Sequence, residues 1–219
     1  MAKSKTAPIT YPTQDVFAAA CAADRINAGE YRSTSDYPSE NSKPTNKSLM
    51  LLLLKNSLEI TEEDRAKANL VRTNYQALTF KILSGKRLTD FESKAMEVAS
   101  AETISERDIG VIAYLPVGHR ISMVTRSVDQ RLRDCEPEYC GAINSKVSLS
   151  IEVVRRIYSH NYGCYFITGI TKDNLAVSFA TSNGELFELN KTYNITAKVK
   201  DHYDNSVTKL NFVKLSKNA

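Results

Sequence analysis

Aromatic and basic side chains recur at the ends of alternating segments in the last third of the chain. One group is Arg155, Arg156, Tyr158, His160, Tyr162 and Tyr165, and the other is Lys198, Lys200, His202, Tyr203 and Lys209. Aromatic rings can stack on bases, arginine adds cation–π contacts, and lysine neutralises phosphates. The grouping therefore favours binding of single-stranded nucleic acid. Taken singly, each lysine is better explained by the solvated face of an antiparallel sheet.

The aromatic residues inside the alternating segments have a simpler interpretation. Strands are enriched in aromatic residues because these pack well on a half-buried pleated surface. We therefore assign Phe166, Phe179, Tyr193 and Phe212 to the core rather than to a binding surface.

Catalytic signatures are not found in the sequence. It has no Gly-rich phosphate loop, no Gly-x-Ser-x-Gly elbow and no His-Glu-x-x-His pair. None of the three histidines, His119, His160 and His202, stands beside an obvious nucleophile. We expect a binding protein with no cofactor, not an enzyme.

Three cysteines and one histidine raise the alternative of a zinc site. Cys135, Cys140, His160 and Cys164 supply suitable ligands, but their spacings are not those of common zinc knuckles. The two pairs also flank a predicted strand about 40 Å long if straight. We therefore expect no bound metal, and reduced thiols at these cysteines and at Cys21.

Five segments of period two follow residue 136. They are Lys146 to Tyr158, Gly163 to Thr171, Leu175 to Thr181, Thr192 to Asp201 and Val207 to Leu215, separated by polar turns. Five short strands with a long first strand predict the Greek-key barrel of the oligonucleotide-binding (OB) fold. That fold binds its ligands on the face of its second and third strands and on two loops.

The residues before the barrel read as helical, so the predicted fold class is α+β. The predicted segments are an N-terminal helix and polar linker at 1–48, a helical region at 49–135 and the barrel at 136–219. Residues 1–13 are predicted to be disordered, and Glu30 to Ser48 to form a long loop. In the clearest helix, Leu70, Tyr75, Leu78 and Ile82 lie near one face.

Net charge is confined to the barrel segment. Residues 1–138 are neutral overall, whereas residues 139–219 carry +4. That excess favours weak electrostatic capture of a polyanion over strongly basic nucleic-acid binding. The longest apolar run, Leu49 to Leu54, is far too short for a membrane span, and the start of the chain lacks the apolar core of a secretory signal. We expect a cytoplasmic protein.

The barrel segment resembles the C-terminal barrel of uncharacterised bacteriophage-encoded proteins, over about 75 residues. The matching residues are Asp173, Asn174, Phe179, Ala180, Thr181, Tyr193, Ala197, Val199, Lys200, His202, Thr208, Leu210, Asn211 and Val213. The resemblance implies a phage OB protein of the single-stranded DNA-binding or replication-accessory type, acting in the infected host cell.

Two departures from the pattern leave a second interpretation open. Phe212 stands where those proteins often have Arg, and Ser178 where they often have Trp. Our first hypothesis is a binder of single-stranded DNA, with RNA as the other ligand and replication proteins as partners. The alternative is an inhibitor or assembly subunit whose barrel binds a protein instead.

Overall fold

The computed structural model describes residues 9–33, 44–55 and 58–216. It divides into two units, Met1–Met123 and Val124–Ala219, and the division falls within a long helix. No helix in these ranges is both long enough and apolar enough to cross a membrane. The elements before the barrel are β1 (Thr10–Pro12), α1 (Thr13–Ile26), α2 (Asn46–Leu54), α3 (Glu62–Gln76), α4 (Leu78–Leu83), α5 (Asp90–Ser100), β2 (Thr103–Ser105), α6 (Ile109–Ile112) and α7 (Leu115–Arg133).

Helix α1 forms the centre of the first unit and packs against α2 and α3. Its residues from Val16 to Ala23 are fully buried, because small alanine side chains let neighbouring helices approach closely. Asp24, near its end, is 1% exposed, and its carboxylate accepts hydrogen bonds from Lys67 at 2.7 Å and Arg120 at 3.0 Å. A buried carboxylate is tolerated only with such partners.

A second buried carboxylate joins α1 to the start of α3. Thr61 and Asp64 form a capping box at the first turn of α3, and Asp64 also accepts two hydrogen bonds from Arg25, at 2.8 and 3.0 Å. Burial raises the pKa of the Asp64 carboxyl, but the hydrogen bonds from Arg25 and Thr61 outweigh this and hold its pKa below the usual range. The two helix ends are therefore fixed to each other.

The prediction of disorder at the N-terminus is wrong for Thr10 to Pro12. These residues form β1, which pairs antiparallel with β2, so that Tyr11 lies opposite the buried Ile104. The pairing joins segments more than 90 residues apart, and no local pattern indicates it. Residues 1–8, and residues 34–43 of the predicted loop, lie outside the described residues.

The apolar spacing noted in α3 and α4 marks the buried face only in part, because Tyr75 is buried and Leu78 packs against the core but the other two residues are exposed. Leu70 and Ile82 are 66% and 47% exposed, whereas Ala68, Val71 and Tyr75 are buried. Tyr75 donates a hydrogen bond to the Leu115 carbonyl oxygen at 3.3 Å. Helix α3 therefore buries Ala68, Val71 and Tyr75 and leaves its one leucine in solvent.

The second unit contains the predicted barrel, and the α+β class is confirmed. All strands pair antiparallel except β5 and β7, which run parallel, and the closed order is β3-β4-β5-β7-β6. This five-stranded closed barrel is OB-like. The strands are β3 (Lys146–Ser159), β4 (Cys164–Thr171), β5 (Ala176–Thr181), β6 (Thr192–His202) and β7 (Val207–Leu215).

A bulge at Val154 bends β3, because it places an extra residue between two pairs of the β3–β4 ladder. The first half of β3 then pairs with β6 and the second half with β4. Phe187 belongs to the barrel core: it is 4% exposed and packs edge-on against Phe179 and Tyr193. The core assignment of those two aromatic residues is confirmed.

Candidate nucleic-acid interface

Apolar side chains cover the outer face of the β3–β4 hairpin. Ile157 lies opposite Phe166, and Phe166 lies opposite Ala180 on β5. Tyr162, in the turn, meets Phe166 edge to face with ring centroids 6.1 Å apart. Tyr162 is 76% exposed, Ile157 54% and Phe166 44%. We call these four residues the outer platform. The core assignment of Phe166 is therefore wrong.

A row of polar residues borders the outer platform. Arg155, Thr168, Ser178 and Lys209 follow one another across β3, β4, β5 and β7, and all are half-buried. Arg155 forms an ion pair with Asp129 of α7, so its charge already has a partner. Lys209 Nζ lies 5.2 Å from the centroid of the Tyr203 ring. Among the residues described, Lys209 is the basic residue of this row that forms no ion pair with a carboxylate.

The end of α7 contacts the next row of the same face through an ion pair. Arg131 donates two hydrogen bonds to the Glu152 carboxylate, at 3.0 and 2.7 Å. Ile170 and Ala176, in line with Glu152 across the sheet, are only 8% and 2% exposed. The open part of the face is therefore the end nearest the β3–β4 turn.

The opposite face of the hairpin holds four of the predicted residues. The Tyr158 ring lies 4.8 Å from the Tyr165 ring and 5.0 Å from that of His160, and Arg156 lies 6.0 Å from Tyr165. Tyr165 is half-buried against Gly184. Burial, followed by the nearby Glu185 carboxylate, raises the pKa of its hydroxyl. Tyr165 thus packs at the barrel end, whereas Tyr158 is 45% exposed.

Near the β6–β7 turn, His202 is held by other residues. Its ring stacks on Tyr139, with centroids 4.0 Å apart and an interplanar angle of 6°. His202 Nε2 lies 2.9 Å from the Gly141 carbonyl oxygen, and the Tyr139 hydroxyl donates to the Tyr203 carbonyl oxygen at 2.8 Å. One face of the imidazole is covered, and Tyr203, 39% exposed, is the more open ring of this turn.

Lys198 and Lys200 are not part of the row that holds Lys209. Lys198 lies opposite Lys146 of β3 and Asn211 of β7, on the sheet formed by the first half of β3. Lys200 is exposed at an irregularity of the β6–β7 ladder. The eleven predicted residues thus lie in four places. Arg155, Tyr162 and Lys209 belong to the outer platform and its row, and Arg156, Tyr158, His160 and Tyr165 to the opposite face of the hairpin. His202 and Tyr203 lie near the β6–β7 turn, and Lys198 and Lys200 lie on β6.

Sequence reasoning missed Ile157, Phe166 and Tyr139 as surface residues. Phe166 follows Tyr165 directly, and neighbouring strand residues face opposite sides, so one of the two rings had to face outward. The sequence prediction turned Tyr165 outward and Phe166 inward, whereas in the structure Phe166 is 44% exposed and Tyr165 is half-buried. No comparable signal exists for Tyr139, whose contacts come from a turn 64 residues away.

The three cysteines and His160 that suggest a zinc site in the sequence are not grouped in the structure. The residues described include no group of three or more His, Cys, Asp or Glu side chains placed to hold a metal, so Cys135, Cys140, His160 and Cys164 do not assemble. Burial raises the pKa of the Cys135 and Cys140 thiols, and that of Cys21 to about 12. These thiols are poorly suited to act as nucleophiles, because the thiolate is the reactive form.

The fold is therefore the strongest guide to the class of protein: an α+β chain with an OB-like barrel that presents an open aromatic face. No protein-family model, curated protein or solved structure matches the chain.

Proposed function

We propose that the second unit binds single-stranded nucleic acid on the outer platform. The observation that carries the proposal is the exposed pair Tyr162 and Phe166 on β4 and on the turn before it. In the OB fold, ligands bind on the face of the second and third strands and on the loop that joins the first strand to the second. In this chain those strands are β4 and β5, and that loop contains Tyr162.

The chemistry of the face suits a strand with unpaired bases. Stacking of a base on an aromatic ring contributes about 1–3 kcal/mol and tolerates any base. A duplex hides the faces of its bases, so the same rings would gain little from it. Lys209 and the Tyr203 ring stand at the far edge of the row, where Lys209 can meet a phosphate. Arg155 contributes less, because Asp129 already pairs with it.

The biological setting is part of the proposal and comes from the resemblance to phage-encoded barrels. It gives the chain a replication-associated role in an infected cell, with single-stranded DNA as the ligand and replication proteins as partners. No catalytic step is assigned to it. RNA is the competing ligand, and it is distinguished by direct comparison of matched DNA and RNA strands.

The experiment is fluorescence anisotropy of the full chain with labelled single-stranded DNA, single-stranded RNA and duplex DNA. Oligonucleotides of about 30 nucleotides exceed the 4–16 nucleotides that one OB barrel contacts. Measurements at about 50 mM and about 200 mM salt separate phosphate contacts from stacking. We expect binding of the single strand in preference to the duplex, with a shallow salt dependence. Equal or tighter binding of the duplex, or no binding at low salt, would reject the proposal.

A separate observation favours the second candidate, a protein-interaction factor. Helix α4 has no buried residue, and it exposes Phe80 (72%), Leu83 (75%) and Ile82 (47%). Such an apolar cluster on a short helix is typical of a protein contact. The test is quantitative affinity purification from the native host, comparing the wild-type chain with Phe80→Glu. A specific partner lost in this variant, in a chain that does not bind nucleic acid, would favour this function.

A further inference from the structure

A second concave surface lies on the other sheet of the barrel, away from β4 and β5. It is a half-open cavity of about 430 Å³ between the first half of β3, β6 and the end of β7. Its polar and aromatic lining comprises Lys146, Ser148, Thr196, Lys198, Phe212 and Lys214. We call this surface the lysine cavity. The proposed function does not use it.

Phe212 has a conformation that packing does not explain. Its φ is +53° and it is 76% exposed. It follows Asn211, where the β6–β7 ladder shifts register between Asn211 and Lys214. A bulky residue at positive φ is strained, and glycine is the usual occupant of such a bulge position. The core assignment of Phe212 is wrong, and the barrel gains little burial from its ring.

The lysines around this ring repel one another. Lys146 and Lys198 are direct cross-strand neighbours, and Lys214 lies opposite Thr196. Like charges directly opposite one another destabilise a sheet. Within the described residues, none of the three forms an ion pair with a carboxylate. Ser148 and Thr196, which are also cross-strand partners, bring two hydroxyl groups to the same cavity.

We propose that the lysine cavity is a second contact site for the single strand, with a base on Phe212 and phosphates at the three lysines. The inference rests on the proposed function and extends it. An exposed ring matches the face of an unpaired base, and an anion between the lysines would relieve their repulsion. The hydroxyl groups of Ser148 and Thr196 can donate to phosphate oxygens. Strained, exposed residues of this kind are found at ligand sites.

The two sites lie within reach of one long single strand, which makes strand length a test. Lys146 and Ile157 lie on the same strand, 11 positions apart, which corresponds to at most about 36 Å at the rise of a β-strand. A strand of about 6 nucleotides can fill one site, whereas one of about 30 nucleotides can reach both, given that one OB barrel contacts 4–16 nucleotides. Substitutions in the lysine cavity should therefore change the Kd for the long strand and not that for the short one.

The test uses Phe212→Gly in the full chain, because glycine accepts the positive φ and should leave the barrel folded. We expect the Kd for the long thymidine strand to rise about 5- to 150-fold, the loss of one stacked base. The Kd for the short strand should not change, and the Tm should be at least that of the wild type. Lys146→Gln should flatten the salt dependence for the long strand, whereas the exposed Lys172→Gln, in the β4–β5 turn, should not.

The outcomes separate this inference from the proposed function. If the long strand binds Phe212→Gly as tightly as the wild type, the second site is rejected while the outer platform stands. If both strand lengths lose affinity equally, the two-site arrangement is wrong. If the wild type binds no strand, both proposals fail.

Discussion

Tyr162 is the residue whose removal most sharply separates binding from folding. Its side chain is 76% exposed, and its ring contacts Phe166 edge to face. An aromatic pair contributes about 0.5–1.5 kcal/mol when well packed, and this one lies largely in solvent. We therefore expect Tyr162→Ala to lower the free energy of unfolding by less than about 1 kcal/mol.

The effect on binding should be much larger. Loss of one stacked base removes about 1–3 kcal/mol, which raises the Kd for single-stranded DNA about 5- to 150-fold. Anisotropy titration gives the Kd, and thermal unfolding followed by circular dichroism gives the Tm on the same sample. Phe166→Ala should weaken binding as well, but with a greater loss of stability, because Phe166 also packs between Ile157 and Ala180.

The matched control is Phe80→Ala. Phe80 is 72% exposed, almost as open as Tyr162, but it lies in the first unit. It should leave the Kd for single-stranded DNA unchanged. The reasoning is refuted if Tyr162→Ala binds like the wild type. It is equally refuted if Phe80→Ala loses as much affinity as Tyr162→Ala.

Three further predictions concern a phosphate contact, a buried carboxylate and a close approach. Lys209→Gln should reduce the slope of log Kd against the logarithm of the salt concentration by about 0.7, the value for one phosphate contact on a single strand. An unchanged slope would show that Lys209 is not part of the interface. Because Arg25 and Thr61 lower the pKa of Asp64, the contribution of Asp64 to stability is present above about pH 4 and is lost as pH falls through the folded pKa. Asp64→Asn should lower the free energy of unfolding by about 1–3 kcal/mol at neutral pH, and its stability, measured by denaturant unfolding, should fall less on acidification than that of the wild type. The same loss of stability on acidification in both proteins would contradict this. A Cβ at Gly184 would overlap the Cβ and Cγ atoms of Tyr165. Gly184→Ala should therefore destabilise the barrel by about 1–3 kcal/mol. A Tm equal to that of the wild type would contradict this, because it would show that Tyr165 moves freely.

The barrel could be predicted in detail because its strands alternate and its turns are short. Val207 to Leu215 was placed correctly at both ends, and the first strand ends one residue later than predicted. Such patterns are local, since each strand has its own period and each turn its own residues. The pairing of β1 with β2 has no local signal, because it depends on two three-residue segments brought together by α1 and its neighbours.

The site was harder to predict than the fold for a related reason. Sequence shows which residues could stack but not which side of a bent strand they occupy, and the bulge at Val154 shifts the alternation in β3. Residues 156 and 158 therefore share a face with the buried Ile167 and with Tyr165, while Ile157 faces outward with Phe166. Burial of His202 under Tyr139 likewise depends on a contact between distant turns.

The most direct test of the central claim is to locate the contact itself. A single strand of about 30 nucleotides carrying 5-iododeoxyuridine is crosslinked to the full chain by ultraviolet light, and the crosslinked peptides are identified by mass spectrometry. We predict crosslinks at Tyr162, Phe166 and Tyr203, lost when unlabelled strand competes. Crosslinks confined to the first unit, or none that unlabelled strand displaces, would contradict binding at the outer platform.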